Sequence, residues 1–344
     1  MTGHEGITHK PVTLYATCPP YRGGSRAAYL EQVSDVARWS EAAGCEGILV
    51  YTDNGLLDPW LVAQVVIQQT RALSPLVAVQ PVYMHPYSVA KMVTSLSYLY
   101  DRRIDLNMVA GGFKNDLVAL HDETPHDQRY ARLVEYTRII LDLLAGRGPV
   151  TFQGRFHSVT NLTLTPPLDR TLAPRVTVSG SSAAGLAAAR ALDALSVTYP
   201  APLTQTDAQP AMDGRYGIRV GIVARESEEE AWSVAQARFP ADRRGQLTHQ
   251  LAMKVSDSSW HKQLSETAKQ RTGSGRDTYW MLPFENYKTF CPYLVGSYER
   301  VAEELARFLT TGCDFVILDV PASPEELGRI THVVDRALAA AARA

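Results

Sequence analysis

The sequence predicts an α/β protein of the (β/α)8 TIM-barrel class. Two observations carry this. Eight short apolar runs of strand length recur along the 344 residues, most of them separated by segments of helical periodicity. Eight is the number that closes a parallel barrel, whereas an open doubly wound sheet usually has fewer strands.

Residues 12–16 (VTLYA) form the first run, and the helical pattern of 26–43 ends where Gly44 supplies a stop. Residues 47–51 (GILVY) form the second. Asp58 as N-cap and Pro59 at the first helical position open a helix reaching Arg71. The third run is 76–79 with its helix at 88–100, and the fourth is 104–109 (IDLNMV), ending at Gly111-Gly112. An amphipathic helix over 129–144 follows, with Leu133, Tyr136, Ile140, Leu143 and Leu144 on one side. The fifth run is 175–179 with its helix at 182–191, the sixth 195–199, and the seventh 217–223 (GIRVGIV) with a helix at 228–239 behind it. A helix over 298–309, the eighth run 315–318 (FVIL) and a closing helix over 324–342 complete the series.

The rhythm breaks twice. Residues 146–174 are Gly- and Pro-rich with β-prone pieces at 150–152 and 162–164, and read as a hairpin-like insertion. Residues 241–293 are polar, partly helical and carry Thr272-Gly273-Ser274-Gly275, a lid-like insertion. Both are read as insertions in a single domain spanning 1–344.

Lys+Arg 34 against Asp+Glu 36 gives net charge −2, with no basic block, so neither nucleic acid nor an anionic membrane surface is expected as a partner. The polar stretch 1–10 lacks a signal core, no apolar run reaches membrane-spanning length, and Cys18, Cys45, Cys291 and Cys313 have no CxxC spacing. A cytoplasmic protein without a metal site is expected. Walker A, GxGxxG, HExxH and GxSxG motifs are absent, which removes most support for nucleotide hydrolysis, metallohydrolase and serine hydrolase readings.

In a (β/α)8 barrel the chemistry lies at the C-terminal ends of the strands. The fifth run exits into Ser179-Gly180-Ser181-Ser182 directly before a helix. That arrangement suits either a phosphate on helix N-terminal N–H groups or a plain serine N-cap with a turn glycine. His126 and Tyr130 share a face if their helix begins at His126, and could reach a ring and a phosphate; otherwise they are a solvated helix start beside Asp127. Asn107 is polar within an apolar strand and needs a neighbour or a ligand to satisfy it. Asp53, in Thr52-Asp53-Asn54-Gly55-Leu56-Leu57, is a ligand contact or a turn residue, and Gln80 and His85 at the third exit are similar cases.

Taken together these segments resemble the luciferase-like flavin-dependent monooxygenases, and within them the alkanesulfonate monooxygenase branch. The carrying residues are Thr52 with Asp58-Pro59-Trp60, Val77-Ala78-Val79-Gln80-Pro81, Asn107-Met108-Val109-Ala110-Gly111-Gly112 and His126-Asp127-Gln128-Arg129-Tyr130. Ser179-Gly180-Ser181-Ser182, Leu294-Val295-Gly296 and Phe315-Val316-Ile317-Leu318 complete the order, which spans nearly the whole chain. The resemblance implies an oxidoreductase that takes reduced FMN as co-substrate from a partner flavin reductase and uses O2 to oxygenate an organic molecule. It places Tyr130, Gly180, Ser181 and Ser182 at the phosphate, and Gln80, Asn107, Gly111 and His126 near the flavin. His126, Asn107 and Arg219 become the catalytic candidates, 241–293 a mobile lid, and a homodimer or homotetramer the expected assembly.

The departures are informative. Leu56 stands where the sulfonate enzymes carry a cysteine, Gly221 replaces their strand-seven histidine while Arg219 is kept, Tyr287 or Lys288 falls at an arginine, and Val320 at a tyrosine. A sulfonate needs cationic, multidentate donors. Their loss predicts a larger, less charged substrate contacting Asp53, Leu56 and Tyr287, such as a secondary-metabolite intermediate on a carrier protein. Two other readings stay open: a deazaflavin-dependent dehydrogenase or reductase on the same barrel, and a non-catalytic flavin-binding barrel.

Overall fold

The structure is a computed structural model that describes residues 12–201, 215–255 and 276–343. Eight parallel strands form a closed ring: β1 (Thr13–Thr17), β2 (Gly47–Val50), β3 (Ser74–Val79), β4 (Asp105–Val109), β7 (Val176–Ser179), β8 (Leu195–Thr198), β9 (Tyr216–Arg225) and β12 (Cys313–Leu318). Closure occurs at β9, which pairs with β8 through Ser196↔Tyr216 and with β12 through Phe315↔Gly217. The helices α1 (Arg26–Ala42), α2 (Pro59–Gln69), α3 (Pro86–Tyr100), α4 (Lys114–Ala119), α5 (His126–Ala145), α6 (Ala183–Ala191) and α7 (Glu228–Arg238) follow their strands, and Tyr298–Thr310 and Pro324–Ala341 complete the outer layer. The (β/α)8 class read from the sequence is the fold observed.

Local chemistry sets the helix ends. Ser25, Asp58, Ser182, Ser227, Ser297 and Ser323 each accept a hydrogen bond from a first-turn backbone N–H. His85 does the same for α3 through Nδ1 and Tyr87 N, so this histidine is a cap.

Three boundaries differ from the sequence reading. Helix α5 begins at His126, three residues earlier than its apolar stripe, which puts His126 and Tyr130 on one face. The hairpin within 146–174 is β5 (Val150–Gln153) paired antiparallel with β6 (Ser158–Leu162), so its second strand ends at the first residue of the 162–164 run. Leu294-Val295-Gly296 is a strand outside the ring. The ten-residue β9 is buried throughout and outlasts the barrel, so its end pairs with β11 (Tyr293–Ser297), edged by antiparallel β10 (Tyr279–Trp280).

The interior is filled by Tyr15, Leu49, Leu76, Val197, Phe315 and Ile317. Below them a polar plug closes the N-terminal end. Asp105, fully buried, accepts from the Tyr15 hydroxyl and from Arg175 N at 2.7 Å, and pairs with Arg103 Nε at 3.2 Å. The other end is open.

Within 241–293, helix α8 (Arg243–Val255) and the 276–293 segment are described; Thr272–Gly275 lies outside the described residues, as does 1–10. Among the described residues no helix is long and apolar enough to cross a membrane, and no cluster of three metal-ligating side chains forms.

Candidate active site

A cavity of about 370 Å³ opens at the C-terminal end of the barrel. Twelve positions singled out from the sequence line it: Asp53, Leu56, Gln80, Asn107, Gly111, His126, Tyr130, Gly180, Ser181, Ser182, Arg219 and Tyr287, whereas His85 does not. They come from five strand exits, the first turn of α5 and the segment before β11.

The β7 exit and α5 meet tightly. Gly180 has φ +149°, and a Cβ built there would stand 2.2 Å from the Tyr130 hydroxyl oxygen. Only glycine brings the strand exit this close to the phenol. Tyr130 Oη donates to Ser179 O at 3.4 Å, and its ring meets that of His126 edge-on at 5.3 Å. Ser182 caps α6, accepting from Gly185 N at 3.1 Å, so the capping reading is correct in the protein as described. The cap leaves the hydroxyl hydrogen available, and Ser181 and Ser182, just ahead of α6, line the cavity. His126 Nδ1 lies 2.7 Å from Asp127 Oδ1.

Asn107 has the neighbour-paired role that its sequence context allowed. Its Oδ1 accepts from Thr177 Oγ1 at 2.8 Å and Ser179 Oγ at 2.9 Å. These bonds fix the carboxamide and turn its NH2 group, a two-hydrogen donor, to the cavity side. Gln80 is similarly buried, with its Nε2 3.5 Å from Tyr83 Oη. Gly111, at φ +98°, approaches the Gln80 carbonyl oxygen so closely that a Cβ would lie 3.2 Å from it.

The floor holds a buried cation. Arg219 is 6% exposed and lies over the Tyr51 ring, with 4.7 Å from guanidinium carbon to ring centroid. Its Nη1 is 3.4 Å from Tyr199 Oη and its Nη2 3.8 Å from Asp319 Oδ1. Nε and Nη2 have no hydrogen-bond acceptor among the described residues. Both nitrogens are themselves buried, so the guanidinium acts on the cavity as a fixed positive charge.

Asp53 stands at the β2 exit, where its Oδ1 accepts from Gly55 N at 2.7 Å, the turn role expected of Asp-Asn-Gly. Burial raises its pKa above the usual carboxylate range, and the Asp116 charge adds to this. Burial also raises the Tyr287 phenol, with Asp53 and Asp116 acting in the same direction.

Sequence reasoning missed several lining residues. Tyr51 and Tyr199 end apolar runs and were read as strand members, although a tyrosine at a strand exit was the available signal. Phe113 and Phe290 meet edge-on at 6.1 Å across the mouth, beside Tyr21 and Arg22. No short-range pattern brings residues 113 and 290 together.

These donors and close approaches fit a flat, phosphorylated flavin. The Gly180–Tyr130 approach shapes a small polar cradle at the α6 N-terminus. The Gly111 backbone and the Gln80, Asn107 and Arg219 donors supply polar edges for a ring system between apolar walls.

Comparisons agree with this geometry. The luciferase-like monooxygenase family profile matches residues 13–314. A curated relative from Niallia circulans, 4-(gamma-L-glutamylamino)butanoyl-[BtrI acyl-carrier protein] monooxygenase BtrO, is 36% identical over 312 residues, covering 89% of this chain and 91% of its own length. The oxygenating constituent of 3,6-diketocamphane monooxygenase from Pseudomonas putida, solved with FMN, superposes with TM-score 0.67 at 15% identity, covering 94% of this chain and 98% of its own. An F420-dependent secondary alcohol dehydrogenase superposes with TM-score 0.65 at 15% identity, covering 95% and 99%. At such identities the structures testify to the fold, while the profile and the curated relative establish the class: the chain belongs to the luciferase-like monooxygenase family and is an enzyme, in place of a non-catalytic barrel.

Proposed function

We propose that the protein is an FMN-dependent monooxygenase acting on an acyl group tethered to a carrier protein, with a flavin reductase supplying reduced FMN. The observation that carries the flavin assignment is the convergence of Tyr130, Gly180, Ser181 and Ser182 with the α6 N-terminus at one corner of the cavity. The carrier assignment is supported by the relative named for an acyl-carrier-protein substrate.

When bound, reduced FMN supplies the two electrons that, with O2, put one oxygen atom into the substrate and release the other as water. The chain's own residues do the rest. Ser181, Ser182 and the α6 N–H groups would hold the phosphate, with Tyr130 closing over it. Asn107, fixed by Thr177 and Ser179, presents its NH2 to the ring, and Gln80 and His126 contribute further polar contacts. Arg219 would favour negative charge that develops at the floor through its buried positive charge. Tyr287 and Phe290, from the 241–293 insertion, cover the mouth with Phe113 and keep water from the reacting atoms.

The experiment uses purified protein, reduced FMN, isotopically heavy dioxygen and acyl-carrier protein loaded with the 4-(gamma-L-glutamylamino)butanoyl group. The expected result is incorporation of one heavy oxygen atom, requiring both reduced FMN and O2. Anaerobic hydride transfer with reduced deazaflavin, and no oxygen incorporation, would overturn the assignment.

A further inference from the structure

The groups that hold Arg219 at the cavity floor stand partly outside the cavity. Tyr51 and Tyr199 touch the guanidinium from the cavity lining. Asp319, directly after β12, lies 3.8 Å from its Nη2 and does not line the cavity. The carboxylate thus stands behind the cation, and the pair turns its positive end to the cavity. The two side chains are only 7% and 10% exposed. A charge buried to that extent needs a partner held in place.

Asp319 is fixed from three sides. Its N–H donates to Val220 O of β9 at 3.1 Å, and Arg238 Nη2 donates to the next carbonyl, Val320 O, at 2.8 Å. Tyr293 Oη donates to Asp319 Oδ2 at 2.7 Å. The last bond engages one carboxylate oxygen and leaves the other, Oδ1, nearest to Arg219. Without it the carboxylate is free to turn both oxygens to the guanidinium and cancel more of its field.

Tyr293 reaches Asp319 because residue 221 has no side chain. Tyr293 faces Gly221 in the β9–β11 register, and a Cβ at Gly221 would lie 2.3 Å from two carbons of the Tyr293 ring. The same ring meets Phe239 edge-on at 4.9 Å, with the Arg238 guanidinium carbon 5.7 Å from its centroid. Packing therefore fixes the ring, and its hydroxyl hydrogen goes to Asp319. Phenylalanine would fill the same space. A buried phenol–carboxylate–guanidinium chain carries a desolvation cost that apolar side chains of similar volume avoid. What the chain supplies in return is direction: a cation held at one place and facing one way.

Resting on the assignment of Arg219 to the reaction above, we propose that Tyr293 and Asp319 are positioning residues that act through Arg219. They fix its charge at the cavity floor while themselves lying outside the cavity.

A double-mutant cycle tests this. Oxygenation of the loaded acyl-carrier protein and titration with reduced FMN are measured on the wild type, Tyr293→Phe, Arg219→Gln and the double variant. Arg219→Met replaces the glutamine variant if that one does not fold by circular dichroism. Tyr293→Phe keeps the ring over Gly221 and should fold as the wild type does. It should lower kcat on the order of tenfold, the rate equivalent of one hydrogen bond to a charged group. KM for the loaded carrier and the affinity for reduced FMN should stay within about twofold, because a group outside the cavity contributes no uniform binding. With Arg219 replaced, Tyr293→Phe should change kcat by less than about twofold, since no charge is left to position. An unchanged kcat in Tyr293→Phe, a loss confined to KM or to FMN affinity, or a kcat loss that persists without Arg219 would overturn the proposal. Wild-type kcat in the Arg219 variant would overturn the assignment of Arg219, and this proposal with it. Wild-type protein that oxygenates nothing would overturn the monooxygenase reading itself, so the failures are distinguishable.

Discussion

The hydroxyl of Tyr130 and the α-carbon of Gly180 approach so closely that a methyl group added to Gly180 would stand 2.2 Å from the phenolic oxygen. One side chain from α5 and one bare backbone position after β7 thereby define the corner assigned to the flavin phosphate. Gly180→Ala must either push Tyr130 away or shift the exit of β7. It should weaken reduced-FMN binding at least about tenfold, or 1.4 kcal/mol, in a fluorescence titration, and Tyr130→Phe should cost about 1 kcal/mol for one hydrogen bond.

Ser182 has two duties that separate by measurement. Its side chain caps α6, so Ser182→Ala should lower unfolding free energy by about 1 kcal/mol in urea denaturation. Ser182→Asp would preserve the cap but repel a phosphate. It should keep near-wild-type stability while losing FMN affinity, whereas a purely structural serine would tolerate aspartate in both assays.

Arg219 presents a planar fork stacked over Tyr51 and paired with Asp319. Lysine keeps the charge and loses the fork. Arg219→Lys should therefore fold normally by circular dichroism and lower turnover by roughly a hundredfold, the scale seen when one preorganised donor is lost. Unchanged kcat/KM would remove Arg219 from the chemistry.

The two ends of the barrel should be energetically separable. Asp105 is buried in the plug with Tyr15, Arg103 and Arg175, and burial raises its pKa despite the arginines. Asp105→Ala leaves the buried Tyr15 hydroxyl and the Arg175 N–H without their acceptor and should cost about 1–3 kcal/mol. The flavin cavity lies at the other end of the strands, so FMN affinity of the folded variant should stay within twofold.

Asp122 tethers the segment ahead of α5. Burial acts to raise its pKa, but Arg132, whose Nη2 is 2.6 Å away, and the Thr124 hydroxyl and N–H outweigh it and hold the value down to about 2. An unfolded aspartate titrates near about 3.9. The folded value is the lower one, so this contribution is present above about pH 4 and is lost as pH falls toward 2. Asp122→Asn should flatten that part of the stability–pH curve measured by urea unfolding.

The barrel was legible because burial on both faces of a parallel sheet writes itself as continuous apolar runs, clearest at residues 217–223 and 315–318. The strand-exit glycines and serines were legible as chemistry because backbone approach demands specific residue types. The rest depends on long-range packing. Nothing local distinguishes Tyr51 and Tyr199 as cavity walls from tyrosines that end a strand. Leu294-Val295-Gly296 was visible as a motif, but its place outside the ring follows from β9 outlasting the barrel.

The central claim is that this cavity takes reduced FMN at the Tyr130–Gly180 corner. Anaerobic titration of the wild type and Gly180→Ala with reduced FMN, and in parallel with reduced deazaflavin, tests it most directly. The account predicts saturable binding of reduced FMN by the wild type, stronger than that of the deazaflavin and weakened by the substitution. Preference for the deazaflavin, or an FMN affinity indifferent to Gly180→Ala, would contradict it.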